Sequence, residues 1–217
     1  MFKFLISGKS TFVKNLLLYR NEVFDQPFSR VIFCCPAEMR LNSSYFDELK
    51  SIYPTIEFLH GLPNVDALQL RTDKTHKLII VDDQFEKSIN SIEIHDIFKF
   101  HSHHDNISII LIGHNLFARS KFGSTLSRNA TAKIVFYDKA DQLFLSTLSR
   151  RIFPHNPNIL TDGFDFLIEN YPENFSKYIV IDTRPISYLP KKLMVRSNIF
   201  PEKDGVIRPV FFIPNID

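Results

Sequence analysis

Short unbroken apolar runs alternate along the chain with stretches of helical spacing. Phe2–Ile6 is a strand-like run, and Lys9–Arg20 follows with Phe12, Val13, Leu16 and Leu17 on one helical face. Val31–Cys35 reads as a strand stopped by Pro36, and Asn42 or Ser43 can cap a helix running through Leu49 to Ile52. Ile56–Leu59 is a short strand closed by Gly61 and Pro63. Leu78-Ile79-Ile80-Val81 is an uninterrupted strand ending in Asp82-Asp83, Ser88 to Phe100 has helical character, and Ile107–Ile112 is the next strand, closed by Gly113. Ala132–Phe136 and Tyr178–Ile181 read as further strands, with a helix over Asp141–Ile152 that stops before Pro154. Strands without polar alternation, separated by helices, predict a mostly parallel sheet covered on both faces. No linker or fixed-period repeat divides the chain, so the expectation is one α/β domain over residues 1–217. Its tail from Glu202 carries an apolar run between Pro209 and Pro214, either an edge strand or a subunit contact.

Composition narrows the class. Of 217 residues 44% are hydrophobic and 23% charged, with a formal net charge of +2, which excludes a disordered chain. No apolar run approaches the length of a membrane-spanning helix, and the first residues are too short and too weakly cationic for a signal peptide. The two cysteines, Cys34 and Cys35, are adjacent and build neither a disulfide framework nor a zinc cage. A non-secreted, intracellular protein is expected. Charge is uneven: Arg119, Lys121, Arg128, Lys133, Lys139, Arg150 and Arg151 are set against only Asp138 and Asp141 between residues 119 and 151. That excess suits nucleotide phosphates or a nucleic-acid backbone, and equally a solvated basic helix face.

Ligands of doubly wound sheets sit beyond the carboxyl ends of the strands. This points to Ser7–Ser10, Asp82–Asp83 and Gly113–Asn115. Gly8-Lys9-Ser10, between a strand-like run and an amphipathic helix, has the form of the end of a phosphate-binding loop (Walker A). Lys9 would reach the β- and γ-phosphates, Ser10 would hold Mg²⁺, and the helix would offer its first N–H groups to anionic oxygen. Lys3 stands where the loop's first glycine belongs, and collapsing both glycines of the motif into Gly8 amounts to a deletion of about five residues. Lys77–Asp83 has the Walker B pattern, with Asp82 as the Mg²⁺ partner, usually through water, and Asp83 where a water-positioning acid sits. His114 and Asn115, just past the following strand, are candidates for sensing the γ-phosphate. His101, His103 and His104 lack metal-ligand spacing and read as residues ending a helix near its negative pole.

In this order the motifs resemble the DNA-packaging ATPases of Polinton/Maverick elements and poxvirus-like viruses, within the FtsK–HerA superfamily of P-loop NTPases. The resemblance covers almost the whole chain. It rests on Phe2–Val13, Ile80–Asp83, Ser102-His103-His104 through Ile107–Ile112 to His114-Asn115-Leu116-Phe117, Leu148–Pro154, Tyr178–Asp182 and Val195–Pro201. It implies a RecA/FtsK-like ATPase that uses ATP and Mg²⁺, assembles into a homo-oligomeric ring, and moves double-stranded DNA into a capsid through a capsid or portal partner. Such a protein would work in the nucleus or a viral replication compartment, away from membranes. It implies Gly8, Lys9, Ser10 and Thr11 as the nucleotide-binding set, Ser10 and Asp82 at Mg²⁺, and Asp83, His114 and Asn115 as catalytic. An arginine reaching a neighbouring subunit's site falls to Arg119 or Arg128, because Ser124 occupies the place where it is expected. His114 replaces a usual Gln, and Asp105 a usual basic residue. Two readings stay open: an active motor subunit, or a remnant that keeps the fold without hydrolysis. A small-molecule kinase would need an Arg-rich lid and an acceptor pocket that the sequence does not display.

Overall fold

A computed structural model describes residues 8–39, 43–113, 120–173, 177–183 and 194–213. The chain forms two compact units, one from Leu17 to Ala130 and one joining the residues up to Leu16 to those from Thr131 onward. Helix α1 (Lys9–Leu18) runs across that boundary in sequence, and the expected strand Phe2–Ile6 lies outside the described residues.

The unit Leu17–Ala130 contains α2 (Arg20–Val23), β1 (Arg30–Cys35), α3 (Ser44–Ile52), β2 (Glu57–His60), β3 (Lys77–Val81), α4 (Phe85–Ser88) and α5 (Ile92–Asp96). A π-helical turn (Ile97–His101), α6 (Ser102–His104), β4 (Ile107–Leu111) and α7 (Gly123–Asn129) complete it. Its four strands form a parallel sheet in the order β2-β1-β3-β4. The uninterrupted apolar sequences of β1 and β3 follow from burial on both faces. On one face Phe33 meets Phe46 of α3 edge-on at 5.8 Å and Phe58 of β2 at 6.0 Å. On the other, Ile32, Cys34, Ile79 and Val81 pack against Ile94, Ile97 and Leu126. The chain is therefore α/β, with a four-stranded parallel sheet flanked by helices. The single helix expected over Ser88–Phe100 is instead broken. Ser91 Oγ caps α5 by accepting from the Ile94 N–H at 3.3 Å, and the helix then widens into the π-turn.

The second unit holds β5 (Ala132–Phe136), α8 (Gln142–Ile152), α9 (Ile159–Asn170), β6 (Tyr178–Asp182), β7 (Met194–Ser197) and β8 (Val210–Phe212). Its strands pair in the order β5-β6-β7-β8 and are antiparallel throughout, which corrects the expectation of a mostly parallel sheet. The reason is visible in β6, all of whose residues are buried although its neighbours run against it. On one face Phe12 of α1 sits 5.6 Å from Phe136, 4.8 Å from Tyr178 and 5.0 Å from Phe200. On the other, Gly163 of α9 brings that helix against Ile179 and Phe212, where a Cβ would lie 3.1 Å from the Ile179 side chain. Helix α9 is absent from the sequence reading, although Ile159, Leu160, Gly163, Phe164 and Leu167 recur at helical spacing and are all buried. The tail run resolves as the edge strand β8.

Candidate functional site

Because β1–β4 are parallel, their carboxyl ends share one rim of the sheet. Cys35 pairs in register with His60, and Cys34 with Val81, which in turn opposes Leu111. The ladder continues one residue beyond β3: the Asp82 N–H donates to Cys34 C=O and the Ile112 N–H to Val81 C=O, each at 2.9 Å. Asp82 is half-buried and Asp83 exposed. Asp83 adopts a left-handed backbone, φ 54°, which few non-glycine residues occupy and Asp tolerates better than most. Two anchors hold the chain in that turn. The buried Gln84 donates from Nε2 to Gly61 C=O at 2.9 Å, and the Phe85 ring covers Gly113, where a Cβ would overlap it. Sequence reasoning passed over Gln84 and Phe85; the signal available was a polar residue directly after two strand-end carboxylates. Burial, and then the nearby Asp82 carboxylate, push the Cys35 thiol up from its ordinary pKa.

The amino-terminal rim of the same sheet differs. A cleft of about 650 Å³ there is lined by Arg30, Glu57, Gln69, Asp73 and Lys77 among others, but its charges answer one another. Arg30 grips Glu57 through Nε at 2.5 Å and Nη2 at 2.7 Å. Lys77, 2% exposed, donates to Asp73 Oδ1 at 2.6 Å, to Asp73 C=O at 3.1 Å and to Thr75 C=O at 2.9 Å. Asp73 is consequently held at about 2, first by Lys77 and then by Thr75. His101 pairs through Nδ1 with Asp105 at 2.6 Å, and Arg71 approaches the same carboxylate at 3.7 Å.

The expected site residues are distributed as follows. Gly8 has φ 60°, and the Phe12 N–H closes the first helical hydrogen bond onto its C=O at 2.7 Å, so the N–H groups of residues 9–11 precede the helical ladder. Lys9 is half-buried, Ser10 and Thr11 are exposed, and all four belong to the second unit. Asp82 and Asp83 lie on the carboxyl rim of the first. His114, Asn115 and Arg119 lie outside the described residues. Arg128 is exposed on α7, where its Nε donates to Ser124 C=O at 3.3 Å within its own helix. Among the described residues no three His, Cys, Asp or Glu side chains form a metal-binding group, and no helix is long and apolar enough to cross a membrane. Two neighbouring carboxylates nonetheless suit Mg²⁺, which takes one or two protein oxygens and keeps several waters. Comparison with known families, curated proteins and solved structures finds no match to this chain.

Proposed function

We propose that this chain is a P-loop ATPase subunit of the DNA-packaging type, coupling ATP hydrolysis to translocation of double-stranded DNA. The observation that carries the reading is the placement of Asp82 and Asp83 at the carboxyl end of a buried strand in a parallel sheet with helices on both faces, the rim where such sheets take ligands. Gly8, left-handed at the start of a ten-residue helix, is in keeping with a phosphate-binding junction. Bound Mg²⁺-ATP supplies the phosphoanhydride whose cleavage drives movement. On this reading Lys9, with the N–H groups of Ser10 and Thr11, would neutralise phosphate oxygens, and Ser10 and Asp82 would be the Mg²⁺ ligands, Asp82 through water. Asp83 would accept a proton from water, and His114 and Asn115 are the candidates for sensing the terminal phosphate. Arg119 or Arg128 would serve a neighbouring subunit of a homo-oligomeric ring, the basic residues between 119 and 151 are the candidates for the DNA backbone, and a capsid or portal protein is the docking partner.

Binding of a fluorescent ATP analogue with Mg²⁺ tests this directly. Lys9→Ala and Asp82→Asn are each expected to weaken binding at least about tenfold, and duplex DNA to stimulate phosphate release by the unsubstituted chain. Binding no stronger than that of Lys9→Ala overturns the reading. Lys3 in place of the loop's first glycine favours a second reading, in which the fold persists without turnover. Inserting about five residues between Ser7 and Lys9 to complete the loop then restores binding.

A further inference from the structure

The carboxyl rim of the parallel sheet is tied together by a circuit of hydrogen bonds. The last two carbonyls of β1 accept from different neighbouring strands: Cys34 C=O from the Asp82 N–H beyond β3, and Cys35 C=O from the Gly61 N–H beyond β2, both at 2.9 Å. Gly61 C=O in turn accepts from Gln84 Nε2 at 2.9 Å. Because β1 lies between β2 and β3, the Gln84 side chain spans the end of β1 to make that bond. It is 4% exposed, and its backbone is held as well: Gln84 C=O accepts from the Ser88 N–H at 2.9 Å and from the fully buried Ser88 hydroxyl at 2.8 Å. Gly61 has φ 97°, a conformation that residues with a side chain rarely adopt, although a Cβ there would meet nothing within 4 Å.

We infer that Gln84 and Gly61 are positioning residues for the Asp83 carboxylate and act on it through the backbone. Asp82 is pinned to β1 and Gln84 to the turn after β2, so the residue between them has to span a set gap, and it does so left-handed at φ 54°. Loss of the Gln84–Gly61 bond frees one end of that span. Asp83 can then leave a conformation that is costly for a residue with a Cβ, and its carboxylate moves off the rim. The same circuit explains the glycine at 61, whose N–H and C=O have to reach Cys35 and Gln84 at once. The catalytic consequence rests on the proposed function, in which Asp83 takes a proton from the attacking water, while the hold on the Asp83 backbone needs no nucleotide. Misplacing such a group by about 1 Å costs up to about 100-fold in turnover, whereas binding through Lys9, Ser10 and Asp82 would be left in place.

Two measurements on the full chain test this. The first is thermal unfolding, without nucleotide, of Asp83→Gly, Gln84→Met and the double variant, since Met keeps the length of Gln but not its donor. Glycine relieves the left-handed turn only while the circuit enforces it, so Asp83→Gly is expected to favour Tm more in the parent than in the Gln84→Met background. The second sets ATP turnover against binding of a fluorescent ATP analogue with Mg²⁺. Gln84→Met and Gly61→Ala are each expected to lower kcat at least about tenfold and to change analogue binding less than about twofold. The two together should cost little more than either, because both break one bond. The methyl of Gly61→Ala touches nothing, so its effect passes through the backbone alone. Additive Tm shifts, parental kcat in Gln84→Met, or analogue binding lost in step with kcat overturns the positioning role. A parent chain that turns over no ATP overturns the proposed function instead, and the unfolding cycle then decides whether Gln84 holds Asp83.

Discussion

Gly113→Ala is a small perturbation with a large expected effect. A Cβ at that position would lie within 2.6 Å of three carbons of the Phe85 ring, against an ordinary contact of 3.4–4 Å. The ring therefore has to retreat by about 1 Å or more, and it is packed against the cluster of Ile32, Ile79, Val81 and Ile94. Overpacking of this kind costs about 1–3 kcal/mol. For a chain of this size that corresponds to a drop of roughly 2–4 °C in Tm per kcal/mol. The assay is thermal and urea unfolding of Gly113→Ala, Phe85→Ala and the double variant. Phe85→Ala alone loses apolar packing, whereas the double variant relieves the overlap, so the two changes are expected to couple by about 1 kcal/mol or more. Additive losses, or a Gly113→Ala chain as stable as the parent, would refute the claim that the ring and the glycine lock the exits of β3 and β4 together.

Three further outcomes follow from the same unit. Lys77→Met removes a buried ammonium that serves three acceptors, and urea unfolding is expected to show a loss of about 2–3 kcal/mol. Cys34, fully buried, has its thiol pushed up to about 12 by that burial, so Ellman's reagent should find no thiol in the native chain and two after denaturation. His76, stacked 4.6 Å from Phe28 and joined through Nε2 to Ser108 Oγ at 2.8 Å, has its pKa lowered, chiefly by burial. Its contribution to stability is complete above the ordinary histidine value near pH ~6.5 and falls away as the pH drops through the lowered native value. Replacing His76 with Phe should flatten the acid limb of Tm against pH.

The strands of the parallel sheet were legible because Val31–Cys35 and Leu78–Val81 are apolar at every position, which only burial on both faces explains. The same cue misdirected the reading of Tyr178–Asp182. Composition reports how many faces are covered, not the direction in which a neighbour runs, and β6 is covered by Phe12 on one side and by α9 on the other. Helix α9 was hidden by Gly163 in its middle, a residue that weakens a helix locally but here permits its close approach to Ile179. The break before α5 hangs on one hydroxyl, Ser91 Oγ, which competes with the helix it interrupts. At the carboxyl rim the two carboxylates were legible from strand-end position. The backbone that presents Asp83 was not, since φ 54° follows from the packing of Gln84 and Phe85 after it.

The aromatic cluster around Phe12 sets an order of events during synthesis. Its partners Phe136, Tyr178 and Phe200 are translated between 124 and 188 residues later. Everything required for the parallel sheet has been translated by Ala130, so that unit can mature while Phe12 still waits for its neighbours. The second unit closes only when this early-made phenylalanine meets a surface built last, and a ribosome-stalled chain ending near residue 175 would expose that ring to chaperones.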